Sequence, residues 1–168
     1  NSYLRDIFVF ASFTALSFVD IKELSNDQIV EVNGEKWIIS KRHKTGVPFQ
    51  VKLLDIPLQI IERYKAFQEN NLVFPNLNYW SICKRMGKMI KECGITKKIS
   101  FHCSRHGFAT LALSKGMPIE SVSRILGHTN IETTQIYAKI TVQKLDNDLT
   151  MLGDKLSKSF GNVKMAGI

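Results

Sequence analysis

Residues 101–137 read FHCSRHGFATLALSKGMPIESVSRILGHTNIETTQIY, and the reading of the rest of the chain starts from them. Ser100–Lys115 is amphipathic and stops at Gly116, Pro118–Leu126 is short and stops at Gly127, and Ile131–Lys139 continues with helical spacing. His102 and Arg105 lie three apart at the start of the first helix. Both therefore face one side near a positive helix end, a natural site for an anion. Gly127, at a helix C-cap, forces a sharp turn that carries His128 out of the helical stack. Tyr137 follows His128 by nine residues. Taken singly, each feature has an ordinary structural reading: a basic first turn, a capping histidine, a tyrosine half-buried on an amphipathic helix.

The sequence upstream of this stretch changes period. Residues 3–18 carry a broad helical stripe through Ile7, Phe8, Phe10, Ala11, Phe13 and Leu16, and Asp20–Leu24 predicts a second, short helix. Gln28–Val32 and Lys36–Ser40 alternate around Asn33-Gly34, a pair suited to the positive φ angles of a type I′ turn. A second connection, His43–Pro48, leads to a third strand at Phe49–Leu53 and carries Lys44 at its tip. Ile56–Glu69, with Pro57 in its first turn, and Asn78–Cys93, closed by Gly94, return to helical spacing. Val142–Lys158 adds a last helix with a stripe of Val142, Leu145, Leu149 and Leu152. The predicted fold is mainly α with a small three-stranded antiparallel β-sheet, an α+β arrangement. Residues 1–160 are read as one domain and 161–168 as a flexible tail.

The 168 residues include 23 Lys and Arg against 15 Asp and Glu, a formal charge of +8. That balance favours a polyanionic partner. Lys41, Arg42, His43 and Lys44 cluster in a predicted turn; Lys84, Arg85 and Lys88 open a second basic run. Lys41, Lys84, Arg85 and Lys88 are candidate contacts for such a partner, with a solvated face as the plainer alternative. No apolar run is long enough to span a bilayer, and residues 1–20 lack the pattern of a secretory signal. Cys83, Cys93 and Cys103 form no C-x-x-C pair, so neither a disulfide framework nor a zinc knuckle is expected, and a reducing cytoplasm fits. His102 and His106 have zinc-pair spacing, but no Glu or Cys is placed to complete a site, so no metal is predicted.

The conjunction of H-x-x-R-H at 102–106, L-G-H at 126–128 and T-T-x-x-Y at 133–137, preceded by a hairpin lysine at Lys44, closely resembles the tyrosine recombinase (phage integrase) family. It is most similar to the integrases of conjugative transposons. The resemblance implies a catalytic domain that cuts and rejoins double-stranded DNA at a specific site through a 3′-phosphotyrosine, for integration and excision of a mobile element. Tyr137 would be the nucleophile, Arg105 and His128 would stabilise the charged phosphate, and Lys44 would protonate the leaving 5′-oxygen. His102 would accept the tyrosine proton or bind phosphate, and Asp20 and His106 would support the site. No cofactor is implied. Four copies on two duplexes would carry out recombination, the isolated chain being a monomer or weak dimer. Val142–Lys158 would then join a neighbouring copy or pack on its own chain. The resemblance also places the protein in the bacterial cytoplasm, on the nucleoid when bound to DNA. The chain opens at Asn1 inside a patterned helix, so a preceding DNA-binding domain is expected to be missing.

One position departs from the family pattern T-G-L-R-x-x-[DE]-[LI]. Here Thr14-Ala15-Leu16-Ser17-Phe18-Val19-Asp20-Ile21 puts Ser17 where an arginine is expected. Loss of one of two phosphate-binding arginines would slow such a reaction on the order of 10²–10³-fold. Arg42, two residues before Lys44, is the candidate replacement. A type IB topoisomerase-like strand transferase and a catalytically weakened DNA-binding module are the competing readings.

Overall fold

The computed structural model describes residues 2–138 and 142–160. Its contacts divide the chain into two units, Asn1–Tyr137 and Ala138–Ile168. The expected tail 161–168 lies outside the described residues.

The first unit begins with α1 (Ser2–Thr14), whose face of Leu4, Ile7, Phe10 and Ala11 is buried. Complete burial of side chains such as Ile7 and Phe10 is worth about 1.5–3 kcal/mol each, which outweighs the modest propensity of this Phe-rich, Thr-ended segment. The helix is shorter than its apolar stripe because Ala15 turns left-handed, with φ of 57°, after its N–H bonds Ala11 O at 2.9 Å. α2 (Phe18–Lys22) starts two residues earlier than expected. Ser17 and Asp20 form a capping box, each side chain accepting from the other's backbone N–H.

Three antiparallel strands follow in the order β1 (Ile29–Val32), β2 (Glu35–Lys41), β3 (Pro48–Lys52). Asn33 and Gly34 both take positive φ, 53° and 78°, and set the register Val32↔Glu35. In the longer β2–β3 connection, Arg42 N–H bonds Val47 O at 2.9 Å and Gly46 N–H bonds Arg42 O at 2.7 Å. The pairing Ser40↔Phe49 puts Phe49, with Val51 and Ile38, on the buried face.

α3 (Asp55–Tyr64) ends sooner than expected, running into a short 3₁₀ turn at Lys65–Phe67 before Asn70 and Asn71 reverse the chain at positive φ. It is tied to α1 through buried Asp6, which accepts from Arg63 at 2.6 Å and Tyr64 at 2.9 Å. α4 (Tyr79–Glu92) buries Ile82 and Met86 and leaves Lys84, Arg85 and Lys88 exposed. α5 (Cys103–Ser114), α6 (Ile119–Leu126) and the single turn α7 (Glu132–Gln135) complete the unit; α5 packs on α1, and α6 on β3. The predicted helix at Ile131–Lys139 shrinks to that one turn, since Thr133, Thr134 and Ile136 are β-branched, and Lys139 lies outside the described residues. Tyr137 is consequently on a turn, its N–H bonded to Thr134 O at 3.0 Å.

The second unit contains α8 (Val142–Phe160). Leu145, Leu149, Leu152 and Leu156 recur along it and are each 46–58% exposed. Among the described residues, no helix is long and apolar enough to cross a membrane.

Candidate active site

The site begins with two arginines held by backbone carbonyls. Arg42, at the end of the sheet, and Arg105, in the first turn of α5, donate to consecutive carbonyls at the C-terminus of α6. Arg42 Nη2 reaches Ile125 O at 2.5 Å, and Arg105 Nη2 reaches Leu126 O. The last carbonyls of a helix lack partners within the helix and carry its negative end, so guanidinium groups are favourable there. Arg105 Nη1 also donates to Ala15 O at 3.0 Å, the carbonyl of the left-handed residue that ends α1.

Arg42 is almost sealed, its side chain 5% exposed against 6% for Asp20, to which Nη1 donates at 2.7 Å. The same carboxylate oxygen accepts the Ser17 hydroxyl at 2.8 Å. The Arg42 guanidinium therefore lies one carboxylate oxygen from the residue that stands where the arginine was expected. It also rests on the Phe49 ring at 3.9 Å, and its Nε has no hydrogen-bond partner among the described residues. Gly127 leaves it room: a Cβ there would come 2.8 Å from Arg42 Cγ and 3.0 Å from Nε.

Electrostatics follow from this packing. Burial pushes the Asp20 carboxyl up, but Arg42, the His43 N–H and Ser17 together outweigh it and hold the group below its ordinary value. Burial and the nearby Arg42 lower Arg105 to about 10, which leaves it charged near neutral pH. His128 is held below its ordinary value by burial and by Arg105, Arg42 and His102; His102 is lowered by burial, His106 and Arg105. Both imidazoles are thus biased toward the neutral form.

Of the remaining residues predicted for the catalytic centre, all but Lys44 converge here. Gly127 takes the left-handed conformation, φ 64°, and His128 N–H bonds back to Ser123 O at 3.1 Å, so the sharp turn expected at this C-cap is present. His128 Nδ1 lies 2.8 Å from the buried Thr134 hydroxyl. With that hydroxyl donating, a neutral His128 carries its proton on Nε2. His106 Nδ1 lies 2.5 Å from the Tyr137 hydroxyl, and the His102 ring stands edge-on to His106 at 4.4 Å. Tyr137 itself is half-buried; burial raises its phenol, and Arg105 opposes the rise. Lys44 is exposed in the β2–β3 turn and makes no hydrogen bond or ion pair among the described residues. Its neighbour His43 is tied back to Glu23 at 2.6 Å.

Lys41 ends β2 as an exposed residue, and Lys84, Arg85 and Lys88 lie on the outer face of α4, where Lys88 approaches Glu92 at 3.8 Å. No group of three or more His, Cys, Asp or Glu among the described residues is arranged to hold a metal ion. Sequence reasoning missed Thr134 as the partner of His128, and the Ala15, Ile125 and Leu126 carbonyls as anchors for the arginines. Only Thr134 carried a signal, its place in T-T-x-x-Y.

Residues 2–144 match the phage integrase family. The chain belongs to that family. Among phage integrase relatives, it is 31% identical over 139 residues to tyrosine recombinase XerA of Pyrococcus horikoshii, covering 74% of this chain and 47% of that protein. It is 41% identical over 141 residues to XerA of Thermococcus kodakarensis, covering 74% and 48%. Over 120 residues it is 36% identical to XerD of Listeria monocytogenes, covering 67% and 39%. The chain thus spans about half or less of the curated relatives it matches. Two solved structures share the phage integrase catalytic fold. The XerH site-specific recombinase in a post-cleavage complex with palindromic difH substrate has a TM-score of 0.70 at 22% identity, over 89% of this chain and 46% of that one. The Tn1549 transposon integrase in complex with a circular intermediate DNA has a TM-score of 0.71 at 17% identity, over 89% and 62%.

Proposed function

We propose that this chain carries the strand-cutting and rejoining centre of a site-specific DNA recombinase. The observation that carries the reading is the Arg42–Arg105 pair, anchored on adjacent carbonyls and adjoined by His128, His102, His106 and the Tyr137 hydroxyl. Cations fixed before substrate arrives are what a phosphoryl-transfer transition state requires, because they need no reorganisation as charge develops. Tyr137 attacks the scissile phosphorus and forms a 3′-phosphotyrosine, conserving the energy of the broken bond for rejoining. Arg105 and His128 Nε2–H bind non-bridging oxygens, and His102 adds a further phosphate contact. Lys44 protonates the leaving 5′-oxygen once DNA draws the β2–β3 turn in. Arg42 supplies the charge that Ser17 does not, in support of which its guanidinium shares Asp20 with Ser17.

The partner in this reading is double-stranded DNA in a bacterial cytoplasm, with Lys41, Lys84, Arg85 and Lys88 along its backbone. Four copies act on two duplexes, and the exposed leucine stripe of α8 covers a neighbouring copy. The resemblance to conjugative-transposon integrases supports integration and excision of a mobile element as the task.

A nicked suicide substrate tests the centre. The protein should form a DNA adduct that survives denaturant and vanishes in Tyr137→Phe. Salt-dependent DNA binding without any adduct would leave a binding module instead. An adduct formed equally on any sequence would favour topoisomerase-like strand transfer.

A further inference from the structure

We infer that His106 takes the proton from Tyr137 as the phenol attacks, leaving His102 free to bind phosphate. The inference rests on the strand-transfer reading and assigns one step within it. His106 Nδ1 lies 2.5 Å from the Tyr137 hydroxyl, which has no other hydrogen-bond partner among the described residues. That distance satisfies the first requirement of a general base, reach to the proton it removes. His102 instead presents its ring to His106 at 4.4 Å, edge to face.

The base is also well aimed. Arg105, the preceding residue, locks the first turn of α5 to the Ala15 and Leu126 carbonyls, and the buried Ser104 hydroxyl bonds Phe101 O at 2.7 Å. A ring on that turn has little freedom to swing away. The phenol needs such a partner, because burial raises it and Arg105 only partly offsets the rise. The groups around His106 are His102 and Arg105 on its own helix and Tyr137 after α7; Arg42 and Asp20 lie beyond Arg105. His102, lowered by burial, His106 and Arg105, is biased toward the neutral form.

For Nδ1 to accept, the resting imidazole carries its proton on Nε2. The Tyr137 O–H bond breaks with its electron pair remaining on oxygen, that pair forms the O–P bond, and the proton goes to Nδ1 to give an imidazolium. The P–O5′ bond breaks with its pair on O5′, which takes a proton from the general acid, Lys44 in the reading above. Rejoining runs the same transfers backward, and the imidazolium returns its proton to the phenolate.

The test measures adduct formation by the full-length protein under single-turnover conditions across pH. His106→Asn keeps an acceptor near the Nδ1 position but no basic nitrogen. It should slow cleavage about 10²–10⁴-fold near neutral pH, the range typical of a lost general base. The variant's rate should then climb with pH as the phenol ionises unaided, and fluorinated tyrosine at position 137, a stronger acid, should restore part of it. His102→Asn should slow cleavage with no such climb. His106→Gln repeats the comparison if the Asn variant does not fold, judged by its thermal transition. A His106 variant that cleaves at the unaltered rate, or is slowed equally at every pH and ignores fluorination, overturns the assignment; so does a climb that appears in His102→Asn instead. If the unaltered protein forms no adduct at all, the strand-transfer reading itself fails, which is a separate result.

Discussion

Arg42 and Tyr137, both assigned to the proposed site, are held in opposite ways. Arg42 is gripped by Asp20, the Ile125 carbonyl and the Phe49 ring, with Gly127 pressed against its stem, and its side chain is 5% exposed. Tyr137 follows a single helical turn, is half-buried, and among the described residues shares one side-chain hydrogen bond, with His106. Lys44 resembles Tyr137 in this respect, exposed on a turn without an ion pair among the described residues. The difference matches the tasks proposed for them. Charge that must await the phosphate is built into the packed interior, where dipoles and cations cannot relax away from it. Groups that must approach the phosphorus, attack it and withdraw sit on turns with few contacts, the least stable parts of a fold.

The sharpest way to break that contrast is to unseat each residue and weigh the loss of stability. Arg42→Ala leaves the Asp20 carboxylate buried without its ion-pair partner, a change that typically costs about 3–5 kcal/mol. Tyr137→Phe removes only a partly exposed hydroxyl and should cost no more than about 1.5 kcal/mol. Urea unfolding of both variants reads the difference, and equal losses would mean that Arg42 is not the fixed element described above. Acid tests the same pair. The Asp20 carboxyl is held below its ordinary value in the folded chain, so its contribution is complete above the unfolded value of about 3.9 and is lost as pH falls from there through the folded value. In Arg42→Ala that part of the acid dependence should shrink.

A smaller effect is expected where the fixed region meets the helix cap. Gly127→Ala would set a Cβ 2.8 Å from Arg42 Cγ at a φ of 64°, which L-residues adopt at a cost. Strain and displacement together should destabilise by about 1–3 kcal/mol. Because Arg42 must shift, adduct formation should slow more than it would from lost stability alone. If the protein loses stability yet the folded fraction cleaves at the unaltered rate, the position of Arg42 is not critical to the chemistry.

The same contrast governs how much the sequence made legible. Elements set by local chemistry were readable: Asn33-Gly34 fixed a hairpin, and Gly94, Gly116 and Gly127 each ended a helix at positive φ. The H-x-x-R-H, L-G-H and T-T-x-x-Y spacing placed the polar residues of the site. What depended on tertiary contact was hidden. Nothing near Arg42 in sequence announces Asp20, 22 residues away, or the Ile125 carbonyl, 83 away. His106 was readable as a support, but its contact with Tyr137 depends on where α7 stops, and that helix ended early because its β-branched residues compete poorly for helical conformation. Even a local signal can be passed over. Ser17-x-x-Asp20 is a capping box in plain sequence, yet the eye goes first to the arginine that Ser17 replaces.

The smallest expected effect concerns the carbonyl that anchors Arg105. Ala15 holds φ of 57°, a left-handed conformation that costs an L-residue about 1–2 kcal/mol, and its carbonyl accepts from Arg105. Ala15→Gly would relieve that strain, at the expense of about 0.5–1 kcal/mol in added freedom of the unfolded chain. The net change should be a gain of up to about 1 kcal/mol, readable as a rise in thermal midpoint. The carbonyl stays where it is, so adduct formation should be unchanged. A gain in stability accompanied by slower cleavage would show that strain at Ala15 helps to aim Arg105, and would move this turn from the passive frame of the site into its working part.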